Sequence, residues 1–153
     1  MTLRSILAYT VATAALWPTV VVAQTLCFIS IDEGRKSPIR LQMTLPQDGS
    51  NVGSILYERG NRNIPIERVD ERVASPGDTV PAIVIGRFKE TLNSRVTGEY
   101  LLTTQGAAVG ELTYAAVVGK KRYRFAEDRN ASTDADCTWT TEQPTQKSQQ
   151  SAR

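Results

Sequence analysis

The sequence predicts an all-β protein: a small antiparallel meander of eight or nine strands, closed or nearly closed into a barrel, with a sandwich as the alternative. Three observations predict it. Apolar and polar residues alternate with period two along most of the chain, and helical periodicity is scarce. Turn-forming residues recur at hairpin spacing. Cys27 and Cys137, the only cysteines, stand near the two ends of the part expected to fold.

The chain opens on a segment expected to be removed. Arg4 supplies a positive charge, Ser5 to Val22 form an almost uncharged apolar stretch, and Ala23 is a small residue before a cut ahead of Gln24. These are the parts of a secretory leader. An uncleaved anchor is the alternative, but Thr10, Thr13, Pro18 and Thr19 weaken the stretch as a spanning helix. Residues 1–23 are therefore expected to act as a signal peptide, delivering a periplasmic or secreted protein with no integral membrane span after cleavage. Gln24-Thr25-Leu26 lacks the small residues that precede a lipidated cysteine, so Cys27 is not expected to carry a lipid.

The strands follow in order. Leu26 to Ile31 is a short first candidate. Ile39 to Leu45 alternates most cleanly: Ile39, Leu41, Met43 and Leu45 share one face, Arg40, Gln42 and Thr44 the other. Asp48-Gly49 turns into a strand near Gly53 to Arg59, and Gly60-Asn61-Arg62-Asn63 turns into one starting at Ile64. Glu67 to Ala74 places Val69 and Val73 four apart, so a single short helix is possible there, with an edge strand or one turn as alternatives. Pro76-Gly77 suits a type II turn before a strand from Ala82 to Leu92. Asn93-Ser94 makes a tight hairpin into Arg95 to Thr104, and Gln105-Gly106 turns into Gly110 to Val118. Gly119-Lys120 turns into Lys121 to Glu127. After a polar loop from Asp128 to Asp134, a last short strand is expected to carry Cys137 and Trp139. Residues 24–141 thus form a single β-domain. Residues 142–153 hold no anchoring apolar residue beyond Ala152 and are expected to be disordered.

Closure has two arguments. A Cys27–Cys137 bridge, expected in an oxidising compartment, brings the first and last strands together. Gly86, Gly98 and Gly110 fall inside successive strands twelve residues apart, where glycine marks a bulge or a barrel corner.

Composition narrows function mostly by subtraction. Loss of Arg4 with the leader takes 18 basic residues to 17 against 16 acidic ones, so electrostatics give no reason to expect nucleic acid as a partner. The chain has no histidine, which removes the commonest general base and zinc ligand. No cofactor, metal or catalytic residue is expected. Asp128, Asp134 and Asp136 crowd one loop, but the glycine and distal glutamate of a calcium loop are missing. Asn130-Ala131-Ser132 fits the N-glycosylation pattern, and Lys36 beside Ser37 sits in an ordinary polar loop.

Three candidate sites remain. Lys120, Lys121, Arg122 and Arg124 form a basic patch at a hairpin, with Tyr123 and Phe125 alternating inward. Arg59, Arg62, Arg68 and Arg72 extend that patch if their segment lies nearby. The patch suits an acidic protein surface or an envelope polyanion, although it also serves to discourage edge pairing. Tyr100, Leu102, Tyr114 and Phe125 are candidate walls of a cavity for a small apolar ligand, with core filling as the plainer role. Glu99 and Glu111 lie on neighbouring strands and suit a two-carboxylate hydrolase if they face one another. The leading expectation is an exported, non-enzymatic binding module that engages a protein partner, of inhibitor or envelope-accessory type. A lipocalin-like carrier is the alternative, and a carboxylate hydrolase is least favoured.

Overall fold

Period-two alternation does produce strands, and the strands close on themselves. The computed structural model describes residues 23–139 apart from 33, 35, 76, 78, 134 and 135. Most of the expected leader, the expected tail, Pro76 of the expected turn and Asp134 of the acidic loop lie outside the described residues. Eight antiparallel strands run in sequence order: β1 Ala23–Ser30, β2 Arg40–Pro46, β3 Val52–Tyr57, β4 Ile64–Ala74, β5 Ile83–Leu92, β6 Arg95–Gln105, β7 Ala108–Ala116 and β8 Arg122–Glu127. Each pairs with its neighbours, and β1 pairs with β8, so the sheet is a closed barrel. Closure removes both exposed edges, which a sheet of this size otherwise has to protect.

Every strand gives the interior at least one side chain that is 2 % exposed or less: Phe28, Met43, Ile55, Ile66, Phe88, Tyr100, Leu112 and Phe125. Burying such side chains contributes about 1.5–3 kcal/mol each, so this one layer accounts for much of the drive to close. No helix occurs among the described residues. The segment with the helical alternative, Glu67 to Ala74, is the larger, C-terminal part of β4, which pairs with β5 from Ile66↔Glu90 to Ala74↔Ile83. Val69 is an extra residue at a register shift between Arg68 and Asp70. A bulge of this kind resets the alternation, which is why the apolar spacing there departs from two.

Two of the three evenly spaced glycines sit at such irregularities. The β5–β6 register passes from Glu90↔Gly98 to Thr91↔Val96, leaving Thr97 unpaired. The β6–β7 register shifts between Leu102 and Thr104, opposite Gly110. Gly86 pairs without interruption on both sides. At Gly98 the absence of a side chain is required, because an added Cβ would overlap the Tyr114 ring lying over it. At the tight β5–β6 hairpin, Asn93 and Ser94 both take the positive φ of its expected turn.

The disulfide forms, but it does a different job from the one expected. Cys27 and Cys137 are bonded, with Cα atoms 5.7 Å apart. Cys137 belongs to no strand; it makes only an isolated bridge with Ser132, beyond the end of β8 at Glu127. The seam is closed by backbone pairing of Phe28, Ile29 and Ser30 with Glu127, Ala126 and Phe125. Leu26, Phe28, Leu41 and Met43 face the core, so Cys27 and its β2 partner Gln42 face outward. The segment after β8 folds back over them as a strap. Gln42 holds it: Oε1 accepts from the Cys137 N–H at 3.0 Å, and Nε2 donates to Asp136 Oδ1 at 3.3 Å. Under this strap Cys27 is fully buried and Ala131 is 3 % exposed.

Candidate functional site

Up-and-down connectivity sends alternate loops to opposite ends of a barrel. The β1–β2, β3–β4, β5–β6 and β7–β8 loops share what we call the upper end. Just inside it lies a polar cluster that charge-counting along the chain does not find. Phe88 faces the core, so Glu90, two residues on, faces it too and is only 4 % exposed. Its Oε1 accepts from the Thr97 hydroxyl at 2.7 Å and from the Tyr114 hydroxyl at 3.2 Å. Its Oε2 accepts from the Tyr100 hydroxyl at 2.8 Å. The Tyr57 and Tyr100 hydroxyls are 2.8 Å apart. The Thr97 bulge brings a hydroxyl to the carboxyl, and Gly98 leaves room for the Tyr114 ring that brings the next. Tyr100 and Tyr114 have ring centroids 4.7 Å apart, and Tyr123 stacks on Tyr114 at 6.2 Å.

No cation pairs with Glu90 among the described residues. Among the described residues three hydroxyl donors compensate its burial. The cluster ties β3, β5, β6 and β7 together beneath the upper loops. Burial first, then the neighbouring Glu90 and Tyr57, push the Tyr100 phenol far above its ordinary value. Burial and Glu90 do the same to Tyr114, and burial raises Tyr57 against the opposing effect of its bond to Tyr100. These phenols are held as donors and are poor nucleophiles.

A pH dependence follows from their shifts. A phenol harder to ionise in the folded state contributes stability that is complete below its unfolded value, about 10, and lost as pH rises beyond it. Tyr57, Tyr100 and Tyr114 are therefore expected to stay protonated past that value and to ionise in step with alkaline unfolding. Tyrosinate absorbance and circular dichroism, followed together, check this. Reversible ionisation of all the barrel tyrosines near the ordinary value, with the fold intact, would contradict it.

Above the cluster the rim is basic. Lys120, Lys121 and Arg122 are exposed on the β7–β8 hairpin, with Lys120 at positive φ. Arg124 is exposed on the outer wall, where it meets Glu111 at 3.3 Å, so its charge is already answered. Tyr123 and Phe125 face inward. Of the four arginines considered as an extension, Arg59 and Arg62 lie in the β3–β4 loop at this end. Arg68 and Arg72 lie along β4, bonded to Glu71 and Asp70. Lys36 and Arg95 also reach the upper end, exposed in the β1–β2 loop and at the start of β6. The sequence placed Lys36 in an ordinary polar loop and did not single out Arg95, although loop parity in a meander would have gathered both.

The remaining candidates are dispersed. Tyr100, Leu102 and Phe125 are packed in the core and Tyr114 is half-buried; the Tyr100 hydroxyl is taken up by Glu90 and Tyr57. Glu99 and Glu111 do not face each other. The β6–β7 register puts Ala115 opposite Glu99, and each carboxylate meets an arginine on the outer wall, Arg87 at 3.7 Å and Arg124 at 3.3 Å. The two-carboxylate geometry is therefore absent. Asp136 is bonded to Gln42, and among the described residues no three potential metal ligands cluster.

No protein-family model, no curated protein and no solved structure matches this chain.

Proposed function

We propose that this chain is an exported, non-enzymatic binding module that docks an acidic protein surface with the upper end of its barrel. The observation that carries this is the gathering of exposed Lys36, Arg59, Arg62, Arg95, Lys120, Lys121 and Arg122 at one end, with no ion pair to any of them among the described residues. Asp32 and Glu58, acidic residues in the same loops, are already engaged, by the Arg124 N–H at 3.2 Å and by Arg40 at 3.1 Å, while Asp48 lies at the other end. A nearly neutral chain thereby presents an excess of unpaired positive charge at one end. Such a field steers an acidic partner to one face and raises its association rate.

Charge alone gives little affinity, and the same rim supplies apolar contacts. Val96, Val117 and Val118 are 46 %, 61 % and 85 % exposed. The Val117 N–H donates to the Thr97 carbonyl at 3.0 Å, joining the two hairpins that carry these valines. Valines presented to water at a hairpin tip, ringed by cations, suit a surface that buries them against a partner. The Glu90 cluster beneath fixes the hairpins, so little ordering is left to be done on binding. The disulfide is compatible with an oxidising, exported compartment.

The test is proximity capture. A photo-crosslinking residue in place of Val118, in the exported protein, is expected to trap a partner with an acidic contact surface. Replacing Lys120, Lys121 and Arg122 together by glutamate is expected to weaken that complex by on the order of tenfold, mainly through a slower, less salt-sensitive association. An undiminished complex in the charge-reversed protein would defeat the proposal. So would binding to phosphatidylglycerol vesicles with no protein captured, which would make the partner a lipid surface.

A further inference from the structure

We propose that the pocket between the strap and the wall of β1–β2, bordering the docking end at Pro38, is a saccharide-binding site. The pocket has a volume of about 540 Å³ and takes its apolar lining from Ile29, Pro38 and Trp139, its polar lining chiefly from Arg40, Asp128 and Asn130. Trp139 offers an indole against which the C–H face of a pyranose packs. Asp128 and Asn130 offer planar acceptors and donors that match vicinal hydroxyl groups.

Two of the lining residues also hold buried N–H groups, Arg40 Nε and Trp139 Nε1, that have no acceptor among the described residues. Buried donors are nearly always satisfied in native proteins, and a ligand rich in hydroxyl and ring oxygens supplies what these lack. Charge argues for a neutral ligand. Arg40 already meets Glu58 at 3.1 Å, and Asp128 repels anions, so a nucleotide or an acidic peptide finds no free cation here. A fatty ligand would leave the polar half of the lining unpaired. The strap is fixed before any ligand arrives, by the Cys27–Cys137 bond and by Gln42, which lowers the cost of ordering the site.

Titrating the exported protein with chitotetraose, cellotetraose and maltotetraose tests this. The reporter is the nitrogen-15 NMR signal of the Trp139 indole N–H, identified by its loss in Trp139→Phe. At least one sugar is expected to shift that signal saturably, with a Kd on the order of 0.1–1 mM. Trp139→Ala, read from the backbone amide signals of the strap, and Asn130→Ala, read from the indole signal, are each expected to weaken binding by about tenfold, with the amide signals of the barrel strands unmoved. Asn130 is exposed, so its variant remains informative if Trp139→Ala disturbs the strap. Silence of the indole signal toward all three sugars at about 10 mM, or equal affinity in the Asn130→Ala protein, would overturn the assignment.

Discussion

Cys27→Ser is expected to lower stability by about 2–5 kcal/mol in the oxidised protein, and Cys137→Ser by a similar amount. The bond joins residues 110 positions apart, and for a loop near that length the chain-entropy account sets a ceiling of about 4.7 kcal/mol. The folded state adds its own reason. The seam that closes the barrel rests on three register pairs between β1 and β8, against ten between β5 and β6. Without the bond, the strap keeps only Gln42 and a few backbone hydrogen bonds over a residue that is fully buried. Denaturant unfolding of the two variants measures the loss, and amide exchange locates it. Exchange is expected to rise first in β1 and in the strap, before β5 and β6 respond. A loss below about 0.5 kcal/mol would mean that the strap is held without the sulfur bond and that the seam closes unaided.

The difference between what the bond was expected to do and what it does marks the boundary of what alternation reveals. Ile39 to Leu45 located β2 because each inward residue is apolar and each outward one polar, a local signal. Asn93-Ser94 located a hairpin because a tight turn demands positive φ at both positions, again a local demand. Cys137 gave no such signal: its pairing with Cys27 followed from there being two cysteines, but its place in a strap and not in a strand is set by which face of β1 is left uncovered, a question of tertiary structure. The β4 bulge left the second part of the strand that begins at Ile64 ambiguous with a helix, by shifting the parity at Val69. Glu90 was hidden by its charge. Parity with Phe88 aims it inward, but carboxylates are expected in water, so Glu99 and Glu111 drew attention while the buried acid did not. What would have redeemed it is the set of hydroxyls on β3, β6 and β7, and their convergence depends on barrel closure. The basic rim was half visible, at Lys120, Lys121 and Arg122; the other loops join it only once the meander is known to close with alternate turns at one end.

Glu90→Ala is expected to cost about 3–5 kcal/mol, more than any surface charge in this chain. The hydroxyls of Tyr100 and Tyr114 lose their acceptor, Thr97 keeps only its long 3.5 Å contact with the residue 90 carbonyl, and a buried donor left unmet costs about 1–3 kcal/mol. The sum is tempered because Tyr57 and Tyr100 still reach each other at 2.8 Å. Truncation also opens a void against the Tyr100 ring, in a core where relaxation is incomplete. Glu90→Gln keeps one acceptor oxygen in nearly the same volume and is expected to cost only about 1–2 kcal/mol. A double-mutant cycle of Glu90→Ala with Tyr100→Phe isolates the shared bond, and a coupling of about 1–3 kcal/mol is expected. The functional consequence distinguishes a scaffold from a bystander. Because the cluster joins the strands that carry Val96 and Val117, its loss is expected to raise amide exchange at the β5–β6 and β7–β8 tips in Glu90→Ala while the lower loops stay as they were. If Glu90→Ala unfolds at the same denaturant concentration as the parent, the carboxyl is not buried among those hydroxyls, and the rigid rim on which docking depends loses its foundation.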